Sequence, residues 1–563
     1  MNRKVDESAA ASSTAAPRGR ARAATAVRVL GLVAIFLVAR RAVEPLGLRG
    51  QEAMLVASGI WFVVGALWLC AAGTFGYGSP QRSDWIAVVP FLVALVVREL
   101  FTLHSVEEIE LTFAREPALK HSIVHALAQL FYAPLVPDTH AFTMHLNGVL
   151  GAFASLPLYL FVRQRLESRA AGLACALFFA VHPIVARFAP TDGPYSLMLA
   201  AWFSALALLS TRTIAPRALL GGALLLGIAA TTRIEGTVIL VASLLLLDVR
   251  SLFAGIRADP LLALFATLLG ASLVAVQMFG QLHYFWDMPT GARPVASTVH
   301  EAVRLGAYST PSFERLVWFG ALVGVMRRFR LGLCAFLATF VVVAPIAPSS
   351  EWIPALHRLV PTCAVQTIVA GIGAYALGAW LPGASTRLAV AAAPSAGLAL
   401  WLLFQTNGAR SEPHPFTVEY DIVRAHLAPR GVPLADCSLL AFNPPMDTLD
   451  LHDVAQVVPQ IPTFDCSRVD CAEKLRAGGC LFYFRTTTAY LHPGGVPHEC
   501  AEGAGTSGAD AAACVSPQAA RLESAMEMTL VETRAVRLAG KIVVEPMPYP
   551  PDVVIGLFRV RAR

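Results

Sequence analysis

Long apolar runs recur along the first 405 residues of the chain, and they constrain its fold more than any other feature of the sequence. Hydrophobic residues make up 56% of the 563 residues, and charged residues only 15%. A helix needs about 17 to 25 apolar residues to cross the roughly 30 Å hydrocarbon core of a bilayer. The sequence therefore predicts a polytopic α-helical membrane protein with about 11 to 13 transmembrane helices. The candidate spans lie near 24–39, 53–73, 83–98, 145–162, 170–188, 194–210, 217–232, 235–249, 260–280, 314–326, 331–348, 361–381 and 388–405.

The segment before the first apolar run has a different composition. Residues 1–22 are rich in Ala, Ser and Arg and lack hydrophobic periodicity, so we expect a disordered basic tail ahead of a transmembrane domain over 23–405. The arginines ahead of the first run also fit a signal peptide. No small-residue cleavage site follows them, which favours an anchor helix.

Basic residues in short loops indicate how the chain is threaded. With a cytoplasmic N-terminus the positive-inside rule is satisfied from the fourth span onward, for example at Arg163 and Arg165 and at Arg250 and Arg257. Arg40 falls on the opposite side, so the orientation of the first helix stays open. The formal net charge of +6 is modest and does not indicate a nucleic-acid partner.

The C-terminal residues 406–563 are polar and rich in Pro and Gly, which indicates a soluble domain on the outer side of the membrane. Cysteines in such a segment are typical of a disulfide framework, and the C-x4-C spacing of Cys466 and Cys471 lacks the second pair that a metal site would favour. Alternating helix and strand candidates predict a small extracytoplasmic α/β domain. The cysteines of this segment are Cys437, Cys466, Cys471, Cys480, Cys500 and Cys514. The strand candidates are 439–442, 480–484, 541–544 and 553–560. The helix candidates are 418–426 and 472–477.

The first large outer loop, residues 98–144, opens with the most highly charged stretch of the membrane region, RELFTLHSVEEIELTFAR. A charge at the bilayer centre costs roughly 2.5 to 3.5 kcal/mol, so we expect this stretch at the membrane surface or in a wet cavity. In a helix, Glu107 and Glu110 lie on the same face, whereas Glu108 lies on a different one. A carboxylate in a cavity can act as a general base toward a hydroxyl group. The alternative is a solvated amphipathic helix on the membrane surface.

Several stretches, in their order and spacing, resemble the opening module of the glycosyltransferase-C superfamily. They are HSVEEIELTFAREP, the segment from NGVLGAF to DGPYSLML, and LLLGIAATTRIEGTVIL, and they cover about residues 85–280. The chain is similar in particular to bacterial lipid-linked sugar transferases related to protein O-mannosyltransferases and the lipid A aminoarabinose transferase. Members usually carry Asp-Glu in the first outer loop, where this chain has Glu107 and Glu108. A looser similarity is present in His357-Arg358-x-x-Pro361.

The resemblance implies transfer of a sugar from a polyprenyl-phosphate donor to a lipid, glycan or protein acceptor. The reaction would take place on the extracytoplasmic face of a bacterial-type inner (plasma) membrane, with inversion, and Glu107 or Glu108 would take the acceptor proton. Because polyprenyl phosphate leaves as an anion, fixed cations matter more than proton donors. Arg98, Lys120 and Arg358 are the candidates for binding the donor phosphate. Arg98 could instead pair with Glu99 or extend to the interface, and Lys120 could be an ordinary surface residue.

Further candidates for acceptor or sugar contacts lie in two other loops. Asp192, in PTDGPY, fits a second acid near the acceptor, and it equally fits a cap on the helix that follows Pro194. Tyr284 and Asp287 fit a sugar-binding surface. Tyr284 also fits an interfacial aromatic belt.

No metal site is predicted, because His121 and His125 have helical spacing but lack accompanying Cys or acidic ligands. No cofactor is certain, and a divalent cation stays open. The competing functions are a lipid or solute transporter of flippase-like type and an inactive scaffold of the same fold. Transporters usually show internal repeats and ionisable residues near the membrane midplane, and the sequence shows neither convincingly.

Overall fold

The computed structural model describes the transmembrane region and the C-terminal domain in segments. These are residues 18–43, 82–99, 139–190, 193–210, 216–232, 236–257, 330–343, 359–378, 437–441, 461–466, 469–486, 517–537 and 552–563, with scattered helical positions within 57–69, 261–269, 383–397 and 422–427.

Within these segments, three helices are long and apolar enough to cross a bilayer: Ala23–Ala42, Phe142–Leu166 and Val360–Gly378. A bent pair, Val238–Leu246 and Val249–Arg257, would make a fourth span. Shorter apolar helices accompany them, so the described chain is mostly helical, as predicted. The count of about 11 to 13 spans stays a prediction, because the candidate spans 260–280 and 314–326 lie largely or wholly outside the described residues.

The helices of the transmembrane region begin and end close to the predicted apolar runs. In chain order they are α1 (Arg18–Val43), a 3-10 helix (Arg82–Ala87), α2 (Val88–Glu99), α3 (Thr139–Phe153), α4 (Ser155–Leu166), α5 (Arg169–Val181), α6 (Pro183–Phe188), α7 (Tyr195–Leu209), α8 (Pro216–Thr231), α9 (Gly236–Leu246), α10 (Val249–Arg257), α11 (Arg330–Val343) and α12 (Val360–Gly378).

The predicted span 170–188 is divided in the structure by one extended residue. The candidate 170–188 forms α5 and α6, and His182 between them has an extended backbone, with φ −64° and ψ 124°. The cause is Pro183, since the residue before a proline is sterically excluded from the helical region. Pro183 then starts α6 at a position where its missing N–H costs nothing.

A buried ion pair holds one end of the bundle together. The Asp84 carboxylate, only 4% exposed, lies 2.9 Å from Nη1 of Arg163. It also accepts a hydrogen bond of 3.2 Å from the Tyr159 hydroxyl. These contacts attach the 3-10 helix before α2 to the C-terminal half of α4. Removing one partner of such a pair usually costs several kcal/mol because the other charge stays buried.

The core of the bundle forms where α5 packs against α12 and α7 packs against α8. The Trp202 indole N–H of α7 donates a 2.8 Å hydrogen bond to Ser243 Oγ of α9. The rings of Phe179 and Phe203 meet edge to face at 5.4 Å, a favourable arrangement for aromatic pairs. Small residues bring these helices close together, and aromatic side chains fill the space between them.

The C-terminal domain contains a five-stranded mixed sheet with the strand order β2-β1-β3-β5-β4. Strand β1 runs parallel to β2 and β3, whereas β5 runs antiparallel to β3 and β4. Its elements are β1 (Cys437–Ala441), β2 (Thr463–Asp465), α13 (Cys471–Ala477), β3 (Cys480–Thr486), α14 (Pro517–Ser524), β4 (Met526–Arg537) and β5 (Asp552–Ala562).

The predicted strands near 439–442, 480–484 and 553–560 are confirmed as β1, β3 and β5, and the predicted helix 472–477 as α13. Strand β4, strand β2 and helix α14 were not predicted. The candidate strand 541–544 lies outside the described residues.

Two disulfides confirm the predicted framework in part. Cys437 and Cys480 join the neighbouring parallel strands β1 and β3, and Cys466 and Cys471 close a short loop before α13. Cys500 and Cys514 lie outside the described residues.

Candidate functional site

Of the predicted site residues, Arg98 is the one that the described segments include. It lies in the last turn of α2, directly before the acidic stretch of the sequence. The other candidates, Glu107, Glu108, Lys120, Asp192, Tyr284, Asp287 and Arg358, lie outside the described residues.

The Arg98 side chain is fully buried, at 0% exposure. Its Nη1 donates hydrogen bonds of 3.3 Å to the carbonyl oxygens of Ala94, one turn back, and Ala180, near the end of α5. The guanidinium also lies 5.0 Å from the centre of the Phe179 ring. Carbonyl oxygens and the face of an aromatic ring both stabilise a cation, so these contacts hold the positive charge of Arg98 inside the bundle. The sequence had indicated a surface position or a wet cavity, and the structure surrounds Arg98 with helices instead.

Gly151 of α3 makes room for this arginine. A Cβ at that position would lie 2.7 Å from Ser196 Oγ, 3.0 Å from Arg98 Nε and 3.1 Å from Ala189 Cβ. Any larger residue would therefore displace both polar side chains. The glycine brings α3 close to the guanidinium of α2 and to the first turn of α7.

Two buried hydrogen bonds position the turn before α7. Asn147 Nδ2 of α3 donates to the Gly193 carbonyl at 3.0 Å, and Ser196 Oγ donates to the Ala189 carbonyl at 2.5 Å. Gly193 directly follows Asp192 in the chain. These bonds hold the backbone next to Asp192 against α3, in the same part of the bundle as Arg98.

A more exposed pair joins the two helices that flank the acidic loop. Glu99 Oε1 lies 3.1 Å from His145 Nδ1, with the side chains 53% and 49% exposed. A pair this exposed adds little stability. It does show that the end of α2 and the beginning of α3, between which residues 100–138 run, lie side by side.

The sequence analysis missed Asn147, Gly151 and Ser196 as parts of this arrangement. A usable signal exists for α3, because Thr143, Asn147 and Gly151 follow one another at intervals of four residues. That spacing places them on one face. Thr143 and Asn147 are both buried.

Within the described residues, no group of three or more His, Cys, Asp or Glu side chains could hold a metal ion. Arg98 carries a positive charge, and the contacts given above for its guanidinium are to the carbonyl oxygens of Ala94 and Ala180 and to the Phe179 ring.

No protein-family model matches the chain, and no curated protein matches it. Among solved structures, it is similar to the oligosaccharyltransferase of Archaeoglobus fulgidus in complex with Zn and sulfate, with a TM-score of 0.34 and 13% identity over 68% of this chain and 62% of that one. It is also similar to the archaeal oligosaccharyltransferase AglB from the same organism, in complex with an inhibitory peptide and a dolichol-phosphate. There the TM-score is 0.37 and the identity 12%, over 68% of this chain and 64% of that one. The chain thus spans less than two thirds of either structure, and these values do not assign it to a family.

Proposed function

We propose that the chain is an integral membrane glycosyltransferase of the C type. It would transfer a sugar from a polyprenyl-phosphate donor to a lipid, glycan or protein acceptor. The observation that carries this proposal is the arrangement around Arg98. The end of α2, the middle of α3 and the turn before α7 meet around one buried cation. The acidic loop and Asp192 are attached to those same elements.

The roles of the residues follow from the chemistry of the reaction. Glu107 or Glu108 takes the proton from the acceptor hydroxyl, whose oxygen attacks the anomeric carbon of the sugar. The bond from that carbon to the phosphate oxygen breaks, and polyprenyl phosphate leaves as an anion with inversion at the anomeric carbon. Fixed cations stabilise the charge that develops on the leaving phosphate.

Arg98, Lys120 and Arg358 are proposed as those cations. In support, Arg98 already contributes a buried positive charge next to the loop. Helix α12 begins directly after Arg358 and Leu359 and packs against α5 and α6, and α5 also carries the Ala180 carbonyl that accepts a hydrogen bond from Arg98. Asp192, Tyr284 and Asp287 are proposed to contact the acceptor or the sugar.

The disulfides support the proposed orientation. Disulfides form in oxidising compartments, and two of them connect elements of the C-terminal domain. This domain would therefore lie on the extracytoplasmic side of a plasma membrane, the side on which the reaction is proposed.

The test is a transfer assay on the full-length protein in membranes, with polyprenyl-phosphate sugars as donors and membrane glycans analysed by mass spectrometry. Glu107→Ala, Glu108→Ala and Glu107→Asp are compared with wild type. Loss of a general base typically lowers the rate by about 10²- to 10⁴-fold, so we expect such a loss for at least one alanine variant. Repeating the assay with a chelator decides whether a divalent cation takes part.

Glu527→Gln, a change of an exposed acid in the C-terminal domain, is the matched control and should leave the rate unchanged. If all three variants of the acidic pair fold and transfer sugar as wild type does, the proposed base is wrong. A protein that moves the lipid across the bilayer without consuming the donor sugar would be a transporter instead.

A further inference from the structure

Helix α10 follows α9 in the chain and makes a sharp angle with it. The axes of Val238–Leu246 and Val249–Arg257 differ by 97°, with a break at Leu247 and Asp248. If α9 lies along the membrane normal, α10 must run nearly parallel to the membrane plane. At nine residues it is far too short to cross on its own.

Asp248 fixes the start of this helix. Its carboxylate accepts hydrogen bonds from the Ser251 hydroxyl at 2.8 Å and from the Arg250 backbone N–H at 3.2 Å. The Asp248 carboxylate also interacts electrostatically with Arg165. Arg165 belongs to the end of α4, close to the Asp84 ion pair, so the turn lies at that end of the bundle.

The two sides of α10 have different surroundings. Leu252 and Ile256 pack against the main core of the bundle, whereas no residue of the helix is fully buried. The Phe253 ring is 51% exposed. Arg250, three positions before it, and Arg257, four positions after it, are exposed as well. Because residues three or four apart are neighbours on a helix, an aromatic ring lies between two arginines on the outward side.

We propose that α10 lies in the plane of the bilayer surface and binds the headgroups of anionic phospholipids through Arg250 and Arg257, with the Phe253 ring among the acyl chains. Amphipathic helices with basic residues and aromatic anchors bind bilayer surfaces in this way. The charges agree with this partner, since Asp248 is already bound within the turn and the two arginines leave an excess of positive charge on the outward side. The inference does not depend on the reaction proposed for the opposite end of the bundle.

Native mass spectrometry of the full-length protein in detergent, exposed to equal amounts of phosphatidylglycerol and phosphatidylcholine, tests the charge requirement. Wild type should retain phosphatidylglycerol preferentially. A basic residue near an anionic surface contributes about 1 kcal/mol, which corresponds to roughly a fivefold change in affinity. We therefore expect each of Arg250→Gln and Arg257→Gln to lower the affinity for phosphatidylglycerol about fivefold, with no change for phosphatidylcholine.

The control is Arg559→Gln combined with Arg563→Gln, which removes two exposed arginines from the C-terminal domain and should leave lipid retention unchanged. Equal retention of the two lipids by wild type, or unchanged retention by the α10 variants, would overturn the proposal.

A crosslinking experiment at position 253 tests the location of the Phe253 ring independently. A photoreactive benzoyl-phenylalanine at this position, in protein reconstituted into vesicles of the same two lipids, should form covalent adducts with phospholipid. Adducts with a second copy of the chain or with another protein would assign the surface to a protein partner, and the absence of lipid adducts would likewise overturn the proposal.

Discussion

Gly371 of α12 lies directly against the backbone of Cys175 in α5. A Cβ on Gly371 would lie 2.5 Å from N, Cα and Sγ of Cys175. The Cys175 thiol also donates to the Ile368 carbonyl at 3.5 Å, one turn earlier on α12. Close approach of small residues is a common basis of helix association in membranes. The two helices therefore depend on this glycine for their contact.

Gly371→Ala should lower the stability of the bundle by about 1 to 3 kcal/mol or more, because the overlap is with backbone atoms that cannot rotate away. The measurement is the thermal unfolding midpoint of the detergent-solubilised protein. Gly397→Ala is the matched control, since a Cβ there meets nothing within 4 Å. Equal midpoints for the two variants would contradict the packing described here.

Gly151→Ala should lower transfer activity by displacing Arg98 and Ser196, because its Cβ would lie within 3.0 Å of both side chains. Adding Ser196→Ala removes the closer contact, so the double variant should recover part of the activity. The two changes would then be non-additive, as is usual for residues in contact. The transfer rate under saturating donor is the measurement. A double variant whose loss of activity equals the sum of the losses in the two single variants would argue against this geometry.

The disulfide between Cys437 and Cys480 should contribute more stability than the one between Cys466 and Cys471. The first closes a separation of 43 residues and the second a separation of 5. Loop-closure entropy gives about 4 kcal/mol for the longer loop and about 2 kcal/mol for the shorter. Hydrogen exchange in β3 and β5 of the full-length protein, compared between Cys480→Ser and Cys466→Ser, measures the difference. Faster exchange in the Cys466→Ser variant would contradict the expectation.

Acid should weaken the attachment of residues 425–427 to β4. The His426 ring and, secondarily, the Arg534 guanidinium donate to the Glu532 carboxylate and hold the pKa of Glu532 below its ordinary value of 4.5. The stabilisation is complete above that value and is lost as the pH falls through the lower pKa of the folded state. Hydrogen exchange of β4 between pH 7 and pH 3 should show this loss in wild type.

Glu532→Gln should remove most of that pH dependence, because an amide does not titrate in this range. Glu473→Gln, a change at an exposed position of α13, should retain it. A wild-type pH dependence in the Glu532→Gln variant would assign the transition to another group.

The sequence predicted those helices and strands that a short stretch of neighbouring residues specifies. Apolar runs define the helices because each crossing needs about the same apolar length. Strands β3 and β5 were recognised because they are rich in β-branched and aromatic residues, and β1 because it is a short apolar run. Strand β4 was missed because a bulge between Leu530 and Glu532 interrupts its two-residue periodicity. Its many charged residues also resemble a loop.

The surroundings of Arg98 depend on contacts between distant parts of the chain, and no local pattern contains them. The arginine was recognised from its position at the end of a span, but its burial depends on α5. Gly151 and Ser196 appear as ordinary small residues in apolar helices, and only the crossing of α2, α3 and α7 gives them a role at the site.

The burial of Arg98 also has a consequence for how the chain enters the membrane. Helix α2 has 12 residues and carries this arginine in its last turn, so lipid alone would hold it poorly. The carbonyl of Ala180 that accepts its hydrogen bond lies 82 residues later in the chain. When α2 leaves the ribosome, α5 has not yet been synthesised. We therefore expect the nascent helix to remain in the protein-lined path of the insertion machinery until α5 has been synthesised, and these helices to enter the lipid as a group rather than one at a time.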